Sequence, residues 1–161
     1  MTKTRFSAGI LLYKFQGTEI SFFLVHPGGP FFAKKDEGWW TVPKGEVEDN
    51  ESELEAAKRE FQEETGYLPN GSFIRLNPVK QKGGKIVQCW AVEGDIDPDG
   101  LISNNFQMEW PPKSGRIQTY PEIDSGAWFT MEEAKRKINV QQISFLAQIA
   151  AIFDASTVNK S

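Results

Sequence analysis

Apolar residues dominate two neighbouring segments near the start of the chain, residues 6–15 and 19–26. Each is rich in Phe, Ile, Leu and Val and has the length of a β-strand. The turn signal Gln16-Gly17 separates them, so this arrangement predicts a β-hairpin. Residues 27–30 read Pro-Gly-Gly-Pro and are predicted to end the second strand. A loop of polar and aromatic residues is predicted to follow over residues 31–40.

Three later segments also have strand character. Residues 71–76 and 85–92 are predicted strands, and Lys82-Gly83-Gly84 is the predicted turn between them. Residues 95–120 are rich in Pro, Gly and Asn and are predicted to form a long irregular excursion. A short strand is predicted at residues 128–130.

Helical spacing of apolar residues appears between residues 54 and 61, where Leu, Ala and Phe would bury one stripe of a helix. Asn50 is the predicted N-cap, Glu53 its capping-box partner, and Gly66 the left-handed residue at the C-terminal end. The capping-box signature returns at residues 130–133.

A final amphipathic helix is predicted at residues 141–153. Strands interleaved with a few helices predict an α/β fold in which helices pack on both faces of a mixed sheet. The length of 161 residues fits a single domain over residues 1–161.

Composition and charge narrow the function classes. The net charge of −4 provides no overall basic field, so we expect no nucleic-acid polymer as partner. Cys89 is the only cysteine and lies in an apolar run, which indicates a buried structural thiol and a reducing compartment. The sequence shows neither a secretory pattern nor an apolar stretch of membrane-spanning length. We therefore expect a cytoplasmic protein that is not embedded in a membrane.

Three acidic residues of the first predicted helix carry the strongest chemical signal. Glu60, Glu63 and Glu64 are three and four residues apart, so their carboxylates project from one side of the helix. Like charges so placed repel one another, and a divalent cation would turn that repulsion into binding. The alternative is a solvated acidic helix face.

The sequence around these acids has a fixed pattern of residue types. Residues 45–67 read GEVEDNESELEAAKREFQEETGY, with seven residue types at set offsets, a coincidence expected about once in 10⁸ starting positions. The pattern resembles the box of the Nudix hydrolases, GX5EX7RE-apolar-XEEXG-apolar. Only Tyr67 departs from it, because an aliphatic residue is commoner there. The resemblance implies an α/β/α sandwich and a pyrophosphohydrolase that requires Mg²⁺ or Mn²⁺.

The same resemblance assigns roles to residues of the box. Glu60, Glu63, Glu64 and the carbonyl of Gly45 would hold the metal, with Glu64 as the first choice of ligand. Arg59 would orient the carboxylates without touching the reacting phosphorus.

Lysines and aromatic residues near the box are candidates for substrate contact. Lys44 directly precedes the box and would touch a substrate phosphate, unless it is solvated. Lys34 and Lys35 lie beside two phenylalanines, a mixture suited to a phosphate chain and a base, with a solvated loop as the alternative. Aromatic candidates for stacking on a base are Phe31, Phe32, Trp110 and Phe145.

The lead-in to the box and the late Ala127-Trp128-Phe129 pattern are similar to the Nudix branch that contains diadenosine tetraphosphate hydrolases. That resemblance implies a nucleoside diphosphate linked to another group as substrate, for example a dinucleoside polyphosphate. The alternative is a Nudix-fold module that senses a nucleotide without hydrolysing it. Such a module should lack a box acid, and every box acid is present.

Nudix enzymes often take the general base from a glutamate ahead of the late Trp-containing strand. Glu122 occupies that region, where Pro121 stiffens the loop. Glu109 and the box acid Glu63 are the alternatives. The only histidine, His26, is predicted to be a packing or loop residue, because no triad or zinc site can be assembled around it.

Overall fold

A mixed β-sheet forms the centre of the computed structural model, which describes residues 6–158. Nine strands occur in the described residues: β1 Phe6–Gln16, β2 Glu19–Pro27, β3 Lys44–Glu46, β4 Ile74–Arg75, β5 Val79–Lys80, β6 Ile86–Glu93, β7 Asn105–Glu109, β8 Ile117–Pro121 and β9 Ile123–Thr130. The helices are α1 Glu53–Thr65, α2 Met131–Lys137 and α3 Ile143–Val158. No helix within residues 6–158 is long and apolar enough to cross a membrane.

The central sheet has seven strands and is mixed because one pair is parallel. Strand β1 runs parallel to β6 and antiparallel to β2 and β3, while β9 pairs with the outer edge of β2 and β4 and β5 pair with β6. The predicted hairpin of β1 and β2 is confirmed, with Gly17 at a φ of 65° in its turn. The parallel pairing of β1 with β6 places β1 in the middle of the sheet.

Alternate residues of β1 face two separate apolar layers. Ala8 and Ile10 face α1 and pack with Ala57 and Phe61 of that helix. On the other side of the sheet, Leu11 belongs to the layer that α2 and α3 cover. The predicted α/β sandwich with helices on both faces is therefore confirmed.

The N-cap of α1 is Ser52, so the prediction of Asn50 was wrong. The Ser52 hydroxyl accepts a hydrogen bond from the Glu55 N–H at 3.2 Å. Glu48 and Glu51 close a turn of their own just before the helix, which places Ser52 at its start. The C-terminal prediction is confirmed, because Gly66 has a φ of 83° and its N–H donates to the helix.

Several predicted strand boundaries were also wrong. Within residues 71–76 only β4 is a strand, and the turn at residues 82–84 joins β5 to β6 instead of β4 to β6. Strand β9 begins at Ile123, five residues before the predicted start at residue 128. Strands β4 and β5 have two residues each and pair only with β6, so local composition gives little sign of where they begin and end.

The predicted irregular excursion at residues 95–120 contains a hairpin. Strands β7 and β8 pair antiparallel as a separate two-stranded sheet, with Phe106 opposite Tyr120. In β7 the half-buried Phe106 and Met108 alternate with exposed polar residues, whereas β8 exposes four of its five residues. The alternation that marks a half-buried strand is therefore present in β7 alone. The Phe106 ring lies against Gly29, where a Cβ would come within 2.8 Å of it.

Cys89 of β6 is fully buried, as predicted for a structural thiol. Burial raises the pKa of this thiol well above its usual range, so the thiolate that a nucleophile needs is disfavoured.

Candidate functional site

Gly45 lies directly against the carboxylate of Glu60. A Cβ at Gly45 would overlap the carboxyl carbon and both oxygens of Glu60, so a larger residue would push α1 away. Pairing of Gly45 with Ala8 fixes β3 against β1. The requirement for glycine at the start of the box is therefore steric, since only glycine lets a carboxylate of α1 approach the backbone of β3 so closely.

Arg59 links the acids of α1 to the segment before the helix. Its Nη1 donates to Glu60 Oε1 at 2.9 Å and to Glu63 Oε2 at 3.1 Å. On the other side, its Nε and Nη2 donate to the two carboxylate oxygens of Glu51 at 3.0 and 2.7 Å. Nη2 also donates to the Glu46 carbonyl of β3. The guanidinium therefore fixes two carboxylates of the box relative to β3.

Glu51 contacts Arg59 although sequence reasoning assigned it no role beyond being a fixed position of the box. Its two hydrogen bonds to Arg59 hold the guanidinium plane in one orientation. A hydrogen bond from Arg59 is the main cause that lowers the pKa of the Glu51 carboxyl, so Glu51 stays charged. The spacing of eight residues gave no sign of this contact, because the chain between them turns before the helix begins.

Glu64 is the most buried acid of the cluster, with 8% of its surface exposed. Its Oε2 accepts a hydrogen bond from the backbone N–H of Lys44 at 3.2 Å. Burial, and next the charge of Glu60, raise the pKa of Glu64 to about 8. Such a carboxylate, buried beside a second acid, is stabilised in its charged form by a nearby cation.

Lys44 and Lys85 bring positive charge to the same place. Burial, and next the positive charge of Lys85, lower the pKa of the Lys44 ammonium, while Glu64 and Glu60 act in the opposite direction. Sequence reasoning did not single out Lys85, which lies just before β6. Lys85 lies near enough to act on Lys44 because β6 and β3 both pair with β1. Local sequence patterns do not show which strands pair.

The donor set fits a hard divalent cation. Burial is also the main cause that raises the pKa of Glu60, so two neighbouring carboxyls resist ionisation without a compensating charge. Carboxylate oxygens are the ligands that Mg²⁺ and Mn²⁺ prefer. Within residues 6–158, no three acidic, histidine or cysteine side chains are already arranged as a complete cation site. Arg59 occupies oxygens of Glu60 and Glu63, so those carboxylates would have to share their lone pairs with the metal.

Glu122 faces the acids of α1 from the junction between β8 and β9. Asn104 connects the two elements, because its N–H donates to the Glu63 carbonyl and its own carbonyl accepts from the Glu122 N–H, each at 2.8 Å. Burial, and next the charge of Glu63, raise the pKa of the Glu122 carboxyl. The alternative base, Glu109, instead accepts a hydrogen bond from the Lys113 N–H inside the β7–β8 hairpin.

Lys34 and Lys35 are exposed on the loop after β2. The Lys35 ammonium lies 5.3 Å from the ring centroid of Trp39, and Phe31 packs edge-on against Phe32. The loop presents cations and aromatic rings together, an arrangement that also fits the alternative of a solvated loop. The proposed stacking role of Phe145 was wrong, because that ring is fully buried in the core.

Most of the chain matches the model of a known protein family. The family model of the NUDIX domain matches residues 3–149. The chain is 35% identical over 104 residues to a bis(5′-nucleosyl)-tetraphosphatase [asymmetrical] of Rattus norvegicus, a match that covers 60% of this chain and 67% of the rat protein.

Two solved structures share the fold at low sequence identity. A Caenorhabditis elegans Ap4A hydrolase in a binary complex superposes with a TM-score of 0.64 at 22% identity, over 92% of this chain and 98% of that one. The NUDIX domain of Shewanella oneidensis NrtR, solved with ADP ribose, gives a TM-score of 0.63 at 14% identity, over 95% and 90% of the two chains.

Proposed function

Since this chain belongs to the Nudix family, we propose that it is a metal-dependent pyrophosphohydrolase. Its substrate would be a nucleoside diphosphate linked to another group, for example a dinucleoside polyphosphate such as diadenosine tetraphosphate. The observation that carries this proposal is the acid cluster of α1, in which Glu51 and Arg59 hold Glu60 and Glu63 and in which Glu64 is buried.

The acids of α1 and the carbonyl of Gly45 would hold Mg²⁺ or Mn²⁺. The bound metal would neutralise the diphosphate and favour the attack of water on phosphorus. Arg59 is a positioning residue in this scheme, since its bonds to Glu60 and Glu63 fix the direction of both carboxylates.

Glu122 would take the proton from the attacking water. The water oxygen bonds to one phosphorus, the bridging P–O bond breaks, and its electron pair leaves with the departing phosphate. Burial is the main cause that raises the pKa of Glu122, which makes its carboxylate a stronger base than an exposed one. Its place beside Glu63 supports this role.

Positive side chains would bind the phosphate chain. The position of Lys44 close to Glu64 supports a role in binding phosphate, and the positive charge of Lys85 lies near enough to act on Lys44. Lys34 and Lys35 would contact the phosphates from the loop after β2, and Phe31 or Phe32 would stack on a base.

The sequence identity to the rat tetraphosphatase supports a dinucleoside polyphosphate, cut asymmetrically to leave a nucleoside monophosphate or triphosphate. A cytoplasmic location agrees with such a substrate and with the buried, unpaired Cys89. We expect neither a nucleic-acid polymer nor a membrane as partner.

The test is a panel of nucleotides incubated with Mg²⁺, with the products identified by mass. Diadenosine tetraphosphate, ADP-ribose and simple nucleoside triphosphates would rank the substrate classes. Good turnover of another class without turnover of any dinucleotide would refute the dinucleotide assignment. Tight binding without turnover of any compound would instead identify a nucleotide-sensing module.

A further inference from the structure

The pairing of β2 with β9 contains a bulge at Asp124. His26 lies opposite Ser125, and the next residue of β2, Pro27, lies opposite Ile123. Asp124 is therefore the extra residue on β9. A bulge re-aims the strand beyond it, and the residue beyond Ile123 in this direction is Glu122.

The side chain of His26 binds this extra residue. Its Nδ1 lies 2.8 Å from Asp124 Oδ1, and its Nε2 lies 2.6 Å from the carbonyl oxygen of Lys35. Both partners are acceptors, so both ring nitrogens donate when the imidazole is protonated. The ring is buried and packs at an angle of 63° against Trp40, with a centroid distance of 5.2 Å. His26 thus ties the bulge to the loop that carries the exposed lysines.

The backbone on either side of the bulge completes the arrangement. The N–H of Gly28 donates to the Glu122 carbonyl at 2.8 Å, and a Cβ at Gly28 would overlap the carbonyl oxygen of Pro121. The end of β2 therefore contacts the segment that presents Glu122. This close approach follows the register that the bulge sets.

We propose that His26 and Asp124 form a positioning pair that aims the Glu122 carboxylate at the acids of α1. Glu122 directly precedes β9, and successive side chains of a strand point to opposite faces. A shift of one residue in β9 would therefore reverse the direction in which the chain presents Glu122. The bulge supplies that shift, and the His26–Asp124 contact holds the bulge in place. The inference deepens the proposed function, because its catalytic consequence rests on Glu122 as the base.

A comparison of Tm values tests the positioning of the Glu122 carboxylate independently of catalysis. With metal removed by EDTA near neutral pH, Glu122→Gln relieves its repulsion with Glu63, and we expect Tm to rise by about 2 °C. In an Asp124→Ala background the carboxylate is no longer held near Glu63, so the same replacement should leave Tm unchanged. In the control background Asp95→Ala, which removes an acid paired with Lys14, the rise should persist.

An equal rise in Tm in the Asp124→Ala and unmodified backgrounds would overturn the proposal. Asp124→Asn should preserve the rise, because its amide oxygen still accepts from His26. His26→Gln should remove most of the rise, because its shorter side chain does not reach both partners. If Asp124→Ala failed to fold, His26→Gln and Asp124→Asn would decide the question by the same measurement.

Kinetics test whether the pair acts through Glu122. Asp124→Ala should lower kcat by about tenfold with little change in KM, and should cause no further loss in a Glu122→Gln enzyme. Losses that multiply in the double variant would show that the pair acts independently of Glu122 and overturn the proposal. If the unmodified protein hydrolysed no nucleotide, the proposed function would fail, while the Tm comparison would still decide the positioning.

Discussion

Glu51 holds Arg59 through two hydrogen bonds, so the guanidinium that contacts Glu60 and Glu63 is itself oriented. The remaining nitrogen, Nη1, then contacts Glu60 and Glu63 together. Lysine offers a single ammonium in place of this planar group, and it cannot reproduce contacts on both sides at once.

Arg59→Lys should therefore fold but bind Mn²⁺ about tenfold more weakly and lose at least as much of kcat. Isothermal titration with Mn²⁺ measures the affinity directly. The matched control is Arg75→Lys, which changes an exposed arginine 3.6 Å from Glu53 and should leave Mn²⁺ affinity unchanged. Equal affinities in all three proteins would contradict the orienting role of Arg59.

Gly45→Ala should disrupt the site through a single methyl group. That methyl overlaps the Glu60 carboxylate, so α1 or β3 must shift, at a cost of about 1–3 kcal/mol of stability. The Tm and the turnover number should both fall. Gly100→Ala is the control, because a Cβ there meets only the Tyr67 hydroxyl, at 3.3 Å. A Gly45→Ala protein with unchanged Tm and turnover would refute the steric account.

The raised pKa of Glu64 predicts how the free energy of unfolding of the metal-free protein depends on pH. Its folded-state pKa of about 8 lies above the ordinary value of 4.5, so folding favours the protonated carboxyl. That contribution is fully present below about pH 4.5 and is lost as the pH rises through about 8. In EDTA, the free energy of unfolding should therefore fall between about pH 5 and pH 8.

Glu64→Gln should remove this part of the pH dependence, because an amide does not titrate. Urea unfolding of both proteins at several pH values measures the difference. Added Mg²⁺ should stabilise the unmodified protein most at the alkaline end, where the carboxylate is charged. Identical pH profiles for the two proteins would show that Glu64 does not retain its proton in the fold.

Glu122→Gln should lower kcat by about 10²- to 10³-fold while metal affinity falls less than in Glu64→Gln. Activity should recover in part at high pH, where hydroxide replaces the missing base. Glu109→Gln is the control and should retain its turnover, because that carboxylate serves the β7–β8 hairpin. Unmodified turnover in Glu122→Gln would move the base to Glu109 or Glu63.

The proximity of the acids of α1 could be predicted from the sequence because its geometry is local. Glu60, Glu63 and Glu64 lie on one helix, where spacing alone determines which side chains are neighbours. The helix start was less certain, since Asn50 and Ser52 are both good caps and only the turn before the helix distinguishes them.

Contacts that depend on strand pairing could not be predicted in this way. Lys85 reaches Lys44 through two different neighbours of β1, and Asn104 joins Glu63 to Glu122 across the fold. The hairpin of β7 and β8 was missed because each strand has only five residues and β8 exposes four of them, although Phe106 and Met108 of β7 do alternate with exposed residues.

The most direct test of the central claim is turnover of diadenosine tetraphosphate by the unmodified protein and by Glu64→Gln, each with Mg²⁺ and with excess EDTA. We expect hydrolysis only by the unmodified protein with Mg²⁺, and a loss of at least about 10³-fold in Glu64→Gln without loss of the fold. Mass analysis should show that a diphosphate linkage has been cut. Full activity in EDTA, or unchanged turnover by a folded Glu64→Gln protein, would contradict the account.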